Sequence, residues 1–361
     1  MNEIIQRYFN KSRFLTVKNK VYAETCLQLF DFQVKNDLVE NDITAKIIDG
    51  KYKEIKAYIV AKQTGVLAGI EEVVFLIKKI TNLKIKQIIK DGKEIKDKDL
   101  LIELTGNPLE ILKFERTVLN ILQRMSGIAT ATNSLIVENN LKTPLASTRK
   151  TLWGLLDKKA VFVGGGFTHR LSLSDEILIK DNHIDLWAKK MAVSRLESLK
   201  MILNYIKKTG IKNPFEIEVE TEKEAYSLNN YYKSINLTAP LIIMLDNFNP
   251  SDAIKTIKTI RDQKNSKNVF FELSGGINEN NIKDYDQVGA DVISLGALTH
   301  SSKALDISLT LVKPTPTKNA PGPRKILWTR RRIRSHSIFF ILTINFLKSL
   351  NLQKLLVDKF S

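Results

Sequence analysis

The chain has 361 residues, enough for two domains, and its apolar (43%) and charged (26%) fractions are those of a globular protein. A lone cysteine, Cys26, excludes an internal disulfide and makes a reducing cytoplasm the expected compartment; the N-terminal MNEIIQRYFNKSRF lacks the apolar core and cleavage site of a signal peptide. Net charge is +17, but residues 313–361 carry eleven Lys or Arg against one acid, Asp358, which leaves +7 for residues 1–312, an excess that suits a polyanionic small molecule at least as well as nucleic acid.

Residues 1–40 read as helical, with Leu27, Leu29, Phe30 and Phe32 ahead of an acidic turn at Glu40–Asp42. Two β-like segments follow, Ile55–Ala61 and Val66–Ala68, then a helix over Glu71–Ile80. Lys84–Ile89, the Asp91–Gly92 turn and Leu100–Leu104 alternate as strands of a small sheet do, and Gly106-Asn107-Pro108 ends it. Residues 1–115 therefore read as a small α+β domain. Ile111–Glu138 has the spacing of one long helix, with Ser126-Gly127 predicted to kink or break it. Arg124 reads as a solvated position on that helix.

From Pro144 the pattern changes to short apolar runs: Leu145–Thr148, Glu176–Lys180, Phe215–Glu220, Leu241–Asp246, Val269–Ser274 and Val292–Leu295. Helix-like stretches lie between them at Ala188–Lys208, Glu222–Tyr232, Ser251–Gln263 and Glu279–Val288. This alternation predicts parallel strands with helical crossovers. Even with a seventh strand at Ala160–Val163 the count falls short of eight. The expected fold is thus α/β, an incomplete six- or seven-stranded parallel barrel over residues 116–312, with an open doubly wound sheet as the alternative.

Polar residues keep one phase in this half of the chain. Arg149 and Lys150 follow the first run, Lys180 ends EILIK, Asp246 ends LIIML, Ser274-Gly275-Gly276 follows VFFEL, and Gly296 follows VISL. Parallel α/β folds gather their sites at that strand edge. The stretch Ser147–Ile184 also packs Arg149, Lys150, His169, Arg170, Lys180 and His183 around Gly164–Gly166. At a separation of about 6 Å and an effective dielectric of about 20, each pair of like charges costs roughly 3 kcal/mol. Such a cluster calls for an anion, whereas a merely solvated basic face would have no reason to keep the phase. Alternation puts Glu216, Glu218 and Glu220 on one strand face. With Asp246 they suit Mg²⁺ or a developing positive charge, although Glu220 reads as readily as a helix-start acid. The glycine turns suit a phosphate cradle. No G-x-x-x-x-G-K-[ST] loop and no Cys/His zinc cluster is present.

These residues sit in motifs that resemble the quinolinate phosphoribosyltransferase family, also called nicotinate-nucleotide pyrophosphorylase (carboxylating). The matching stretches are GVLAGIE (65–71), FERTVLNILQRMSGIAT (114–130), STRKT (147–151), GGGFTHR (164–170), LIKDNHI (178–184), FEIEVE (215–220), IMLDN (243–247), ELSGGI (272–277) and ISLGALTHS (293–301). The resemblance spans roughly residues 20–312 and implies an N-terminal α+β sandwich, an incomplete barrel and a homodimer whose partners complete each other's sites. It implies that Arg116 reaches across to the partner, and that Arg149, Lys150, His169, Arg170 and Lys180 bind the quinolinate carboxylates and the anionic groups of phosphoribosyl pyrophosphate. Glu218 and Asp246 would lie by the ribose and Mg²⁺; Ser274, Gly275, Gly276 and Gly296, with Ser294 in the same motif, would bind the 5-phosphate. Lys150, Glu218 and Asp246 are the expected catalytic residues. The implied reaction yields nicotinate mononucleotide, pyrophosphate and CO₂, with no organic cofactor.

The sequence departs from the pattern after TRKT, where LWGLL stands in place of T-P-G-L-R, with Trp153 replacing a proline. Residues 226–240 predict an enlarged loop. Beyond Leu311 the resemblance ends in a Pro-rich, then basic, then apolar tail, whose apolar part is too short and too interrupted to span a bilayer. Membrane contact by this tail is an alternative to its being an appendage without function. Two other readings compete: a phosphoribosyltransferase-like paralogue associated with molybdenum transport, and a nucleic-acid or membrane binder acting through Arg330–Arg334. Removal of residues 314–361 is expected to leave turnover intact; a truncated protein that folds but loses activity would refute the appendage.

Overall fold

A computed structural model describes residues 2–37, 42–44, 54–264 and 266–312. The tail from residue 313 lies outside the described residues, as does the acidic turn up to residue 41. Two helices, α1 (Glu3–Phe9) and α2 (Lys20–Asp37), open the chain. Then come β1 (Ile55–Ala61), β2 (Gly65–Val66), α3 (Ile70–Ile80), β3 (Lys84–Gln87), β4 (Glu94–Ile95) and β5 (Leu100–Gly106).

The long helix α4 (Pro108–Glu138) starts on an Asn107 side-chain cap that accepts from Leu109 N–H at 2.8 Å. No break occurs at Ser126-Gly127: α4 runs through both residues as one helix. Gly127 is there for close approach instead, since a Cβ at that position would lie 2.0 Å from the carbonyl oxygen of Lys303.

The second half contains β6 (Leu145–Ser147), α5 (Leu155–Val163), β7 (Leu178–Ile179), α6 (Asp181–Met191), α7 (Arg195–Thr209), β8 (Phe215–Val219), α8 (Glu222–Ser234), β9 (Leu241–Asp246), α9 (Pro250–Arg261), β10 (Val269–Ser274), α10 (Ile282–Tyr285), β11 (Val292–Leu295), α11 (Ala297–His300) and β12 (Ile307–Leu311). The strand expected at Ala160–Val163 is the end of α5, whose buried Leu156, Ala160 and Val161 recur at helical spacing. The single helix expected over 188–208 is two. Ala192 turns into the left-handed region at φ +52°, and Ser194 with Glu197 forms a capping box that starts α7. Much of the enlarged loop expected over 226–240 is the second half of α8, where Leu228, Asn229 and Tyr232 are buried. The helix expected over 279–288 is reduced to α10.

Six parallel strands form one sheet in the order β6-β11-β10-β9-β8-β7, so the barrel is incomplete, with β6 and β7 as the outermost strands. The segment at Phe167 lies along β6 through a bridge to Ala146. A separate four-stranded antiparallel sheet has the order β12-β1-β5-β3. Its edge strand β12 comes from the end of the described chain, which therefore returns to the N-terminal sheet after leaving the barrel. The barrel floor is apolar: Ala146, Phe167, Ile242, Phe270 and Val292 pack against Ile5, Tyr8 and Phe9 of α1. Among the described residues no helix is long and apolar enough to cross a membrane.

Gly127→Ala is expected to cost about 1–3 kcal/mol through overpacking against the 303–304 backbone. Urea denaturation reads this as a lower midpoint at unchanged slope; an unchanged midpoint would mean that segment yields freely.

Candidate active site

The C-terminal ends of the six parallel strands form the mouth of the barrel, and most of the predicted site residues meet there. Lys180, just past β7, pairs through Nζ with Glu218 Oε2 on β8. Burial opposes the ammonium charge, but the Glu218 hydrogen bond and charge outweigh it and hold Lys180 above the usual lysine range. Asp246 ends β9. Burial and then the charge of Glu218 raise its carboxyl above the usual range, against the pull of Lys180 and Lys150. Asn247 donates from Nδ2 to Asp246 Oδ2 at 2.6 Å, and its N–H donates to Ser274 O at 2.9 Å, tying the ends of β9 and β10 together. A Cβ on Gly275 would meet Asn247 Oδ1 at 2.4 Å, which excludes any larger residue there.

Lys150, past β6, reaches the turn after β11. Its side chain lies against Gly296, where a Cβ would stand 3.0 Å from Lys150 Cδ, and its carbonyl accepts from Thr299 Oγ1 at 2.8 Å. Gly275 and Gly276 take positive φ values of +80° and +64°, the region that favours glycine. Ser294 is buried inside the barrel and Arg149 is exposed beside β6.

His169 and Arg170 close the side of the mouth where the barrel is incomplete. Both are buried. The His169 ring turns inward: Nε2 faces Glu272 Oε2 at 3.1 Å and Glu216 Oε2 at 3.6 Å, while Nδ1 accepts the Arg170 N–H at 2.7 Å. That contact puts the proton of the neutral ring on Nε2. The two carboxyls beneath it are pushed in opposite directions. Burial and the charge of Glu272 raise Glu216 well above the carboxylate range, whereas Glu272, though burial opposes it, is drawn down by His169 and by the Glu216 hydrogen bond. These three residues are a grouping of metal-type ligands among the described residues, and all three are buried in the interior. Glu220 points elsewhere, pairing with Arg195 at 3.2 Å, as a helix-start acid would.

Arg116 does not join the cluster. It stands on α4 with two-thirds of its side chain exposed, paired with Glu115 at 3.7 Å, and lines a hollow with Phe32, Asp37 and Trp153.

Arg124 is not the solvated residue that the sequence suggested. Its guanidinium forks onto the fully buried Asp157 at 2.8 and 2.7 Å, donates to Thr299 O at 3.1 Å, and stacks 5.3 Å from the centre of Trp153. Asp157 Oδ2 also accepts the N–H groups of Leu152 and Trp153 at 3.0 and 3.1 Å. The unusual LWGLL loop is thereby held by Arg124 and Asp157. Charged residues inside the otherwise apolar LLDKKAVFV were the available signal, because buried charges require partners. The same helix carries Lys158, buried, with Nζ donating to Thr168 O at 2.7 Å and Ser147 Oγ at 3.2 Å. Burial, and then the charges of Arg149 and Arg170, push its amine down to about 7.

In the folded protein Lys158 is thus neutral where an unfolded chain, at 10.5, still binds its proton. Stability from this group rises with pH between about 7 and 10.5 and is lost as pH falls through that window, by at most about 1.4 kcal/mol per pH unit. Lys158→Met is expected to flatten the stability–pH profile there; parallel profiles for the two proteins would refute the buried neutral amine.

Residues 128–310 match the family described as quinolinate phosphoribosyl transferase, C-terminal domain, and residues 42–126 its N-terminal domain. The probable nicotinate-nucleotide pyrophosphorylase (carboxylating) of Methanocaldococcus jannaschii is 37% identical over 294 residues, which are 80% of this chain and 97% of that protein. Its namesake in Archaeoglobus fulgidus is 36% identical over 266 residues, 72% of this chain and 96% of that one. The solved nicotinate-nucleotide pyrophosphorylase from Francisella tularensis superposes with a TM-score of 0.68 at 31% identity, covering 80% of this chain and 96% of its own.

Proposed function

The chain belongs to the quinolinate phosphoribosyl transferase family, and we propose that the residues at its barrel mouth perform the family's reaction. The chain transfers a phosphoribosyl group from phosphoribosyl pyrophosphate to quinolinate with decarboxylation, giving nicotinate mononucleotide, pyrophosphate and CO₂ on the route to NAD. One observation carries the assignment of that chemistry to the mouth. Cations from β6 and β7, carboxylates from β8 and β9, and glycine turns after β10 and β11 converge at one strand edge.

Each group matches a demand of the reaction. Arg149, Lys150, Arg170 and Lys180 offer charge to the quinolinate carboxylates and to pyrophosphate, and His169 fixes the backbone of Arg170. The Ser274–Gly276 turn and Gly296, with Ser294 below, offer backbone N–H groups and a hydroxyl to the 5-phosphate. As the C1–O bond breaks, its electron pair leaves with pyrophosphate, and Lys150 stabilises that charge. Glu218 and Asp246 offset the positive charge that develops on the ribose. The pyridine nitrogen lone pair then forms the C1–N bond. With the nitrogen cationic, the C2 carboxylate leaves as CO₂, its electron pair stays on C2 beside that charge, and C2 takes up a proton.

The donor set suits Mg²⁺. Glu218 and Asp246 are hard oxygen ligands, and burial together with the charge of Glu218 raises the Asp246 carboxyl, so a cation there would favour its ionised form. Bound there, Mg²⁺ would neutralise part of the pyrophosphate charge.

We also propose a homodimer with shared sites and a cytoplasmic location. The first is supported by Arg116, whose side chain is two-thirds exposed, pairs among the described residues only with its neighbour Glu115 and stands in a hollow next to the exposed Phe32. The second is supported by the single, buried Cys26. Arg116→Ala and Lys150→Ala are each expected to abolish turnover as homodimers. Mixing and reassembling them equally makes half of the dimers mixed, each with one intact site of two, so about a quarter of wild-type activity returns. Two inactive variants that stay inactive after verified exchange would contradict the shared site.

A further inference from the structure

The first residues of the chain lie outside both matched domains, the earlier of which begins at residue 42. They nevertheless hold one side of the barrel mouth. The segment Phe167–Arg170 fills the gap beside β6, and within it His169 has a φ of +53°. A non-glycine residue in that region costs of order 1–3 kcal/mol and persists only where its surroundings over-determine it.

Residues 9–11 supply that determination from below. Phe9 O accepts the His169 N–H at 2.7 Å, and the Phe9 ring stands edge-on to the imidazole with centroids 5.0 Å apart. The Lys11 N–H donates to Thr168 Oγ1 at 2.8 Å. Lys11 Nζ pairs with Glu176, whose backbone oxygen faces Arg170 Nη1 at 3.4 Å. From the barrel side Glu272 meets His169 Nε2 at 3.1 Å. The imidazole in turn accepts the Arg170 N–H at 2.7 Å. An unbroken set of contacts therefore runs from the N-terminal segment to the backbone and the guanidinium of Arg170.

We propose that Phe9–Lys11, together with Glu272, is a positioning clamp that fixes His169 and, through it, holds Arg170 in the orientation that receives a quinolinate carboxylate. None of the clamp residues touches substrate; they act through His169 and Arg170. The proposal rests on the reaction assigned above and adds the N-terminal segment to its machinery. It also accounts for α1 lying across the barrel floor, where Tyr8 donates to Ile177 O at 3.1 Å on the segment that leads to Lys180.

The test uses the full-length chain with quinolinate and phosphoribosyl pyrophosphate varied separately, for wild type, Phe9→Ala, Phe9→Leu, Lys11→Met and Glu272→Gln. A misplacement of about 1 Å costs up to ~10²-fold, so the KM for quinolinate is expected to rise about tenfold or more in Phe9→Ala and Glu272→Gln, with that for phosphoribosyl pyrophosphate little changed. Phe9→Leu, which refills the volume, is expected to restore most of the loss. Lys11→Met spares the floor packing and is expected to show a smaller effect of the same kind, which keeps the test open if Phe9→Ala does not fold. Equal rises in both KM values, or losses that follow the melting temperature alone, would overturn the clamp. Nitrogen NMR of the His169 ring reads it independently of turnover: the Nε2–H tautomer should be uniform in wild type and mixed in Phe9→Ala and Glu272→Gln. A wild type inactive on quinolinate would overturn the reaction assignment, while an unchanged ring signal in both variants would overturn the clamp alone.

Discussion

A carboxylate buried inside a barrel must find a donor or a proton, since the cost of desolvating an unpaired charge is several kcal/mol. Three inward positions of this sheet, Glu216, Glu218 and Glu272, carry one. Each is resolved differently. Burial and the charge of Glu272 push Glu216 toward its neutral form, Glu272 takes the hydrogen bond of His169, and Glu218 takes Lys180. That division separates a buried cluster of Glu216, Glu272 and His169 from the charged mouth where Glu218 meets Lys180. The His169 and Lys180 side chains point where they do because the carboxylates require it, and so the cations are held at the strand ends before any substrate arrives.

The mouth has the opposite problem, because Arg149, Lys150, Arg170 and Lys180 repel one another. Two compensations are visible. Lys180 is neutralised by Glu218, and Lys158, itself buried, gives up its charge far more readily than an ordinary lysine, its amine pushed down to about 7 by burial and then by Arg149 and Arg170. What remains uncompensated is the charge on Arg149, Lys150 and Arg170, which suits a substrate bearing two carboxylates and a second one bearing phosphates. The chemistry that follows needs electrostatic positioning more than acid–base groups, and the site contains little else.

Much of this was legible in the sequence, and for one reason. In a parallel barrel the strand ends converge, so the phase of Lys150, Lys180, Asp246, Ser274 and Gly296 relative to the apolar runs already placed them together. The illegible parts are those where a local signal had two physical meanings. Gly127 reads as a helix breaker, but it is a contact point for the backbone at Lys303, far along the chain. The apolar AVFV of α5 fits strand and helix alike, and only its burial at helical spacing decides. Arg124 looks solvated until Asp157 is seen to face it. Contacts of this kind are long-range, and one-dimensional periodicity carries no record of them. The clamp at Phe9–Lys11 belongs to the same class: nothing in NEIIQRYFNK announces that it would lie under His169.

The most direct test of this account is a comparison of quinolinate with nicotinate as acceptor for the wild-type chain, with phosphoribosyl pyrophosphate and Mg²⁺ supplied. Nicotinate mononucleotide and CO₂ should be released from quinolinate in equal amounts, and nicotinate, lacking the second carboxylate that the mouth's cations hold, should give little product. Product from nicotinate at a comparable rate, or nucleotide formed from quinolinate without matching CO₂, would contradict it.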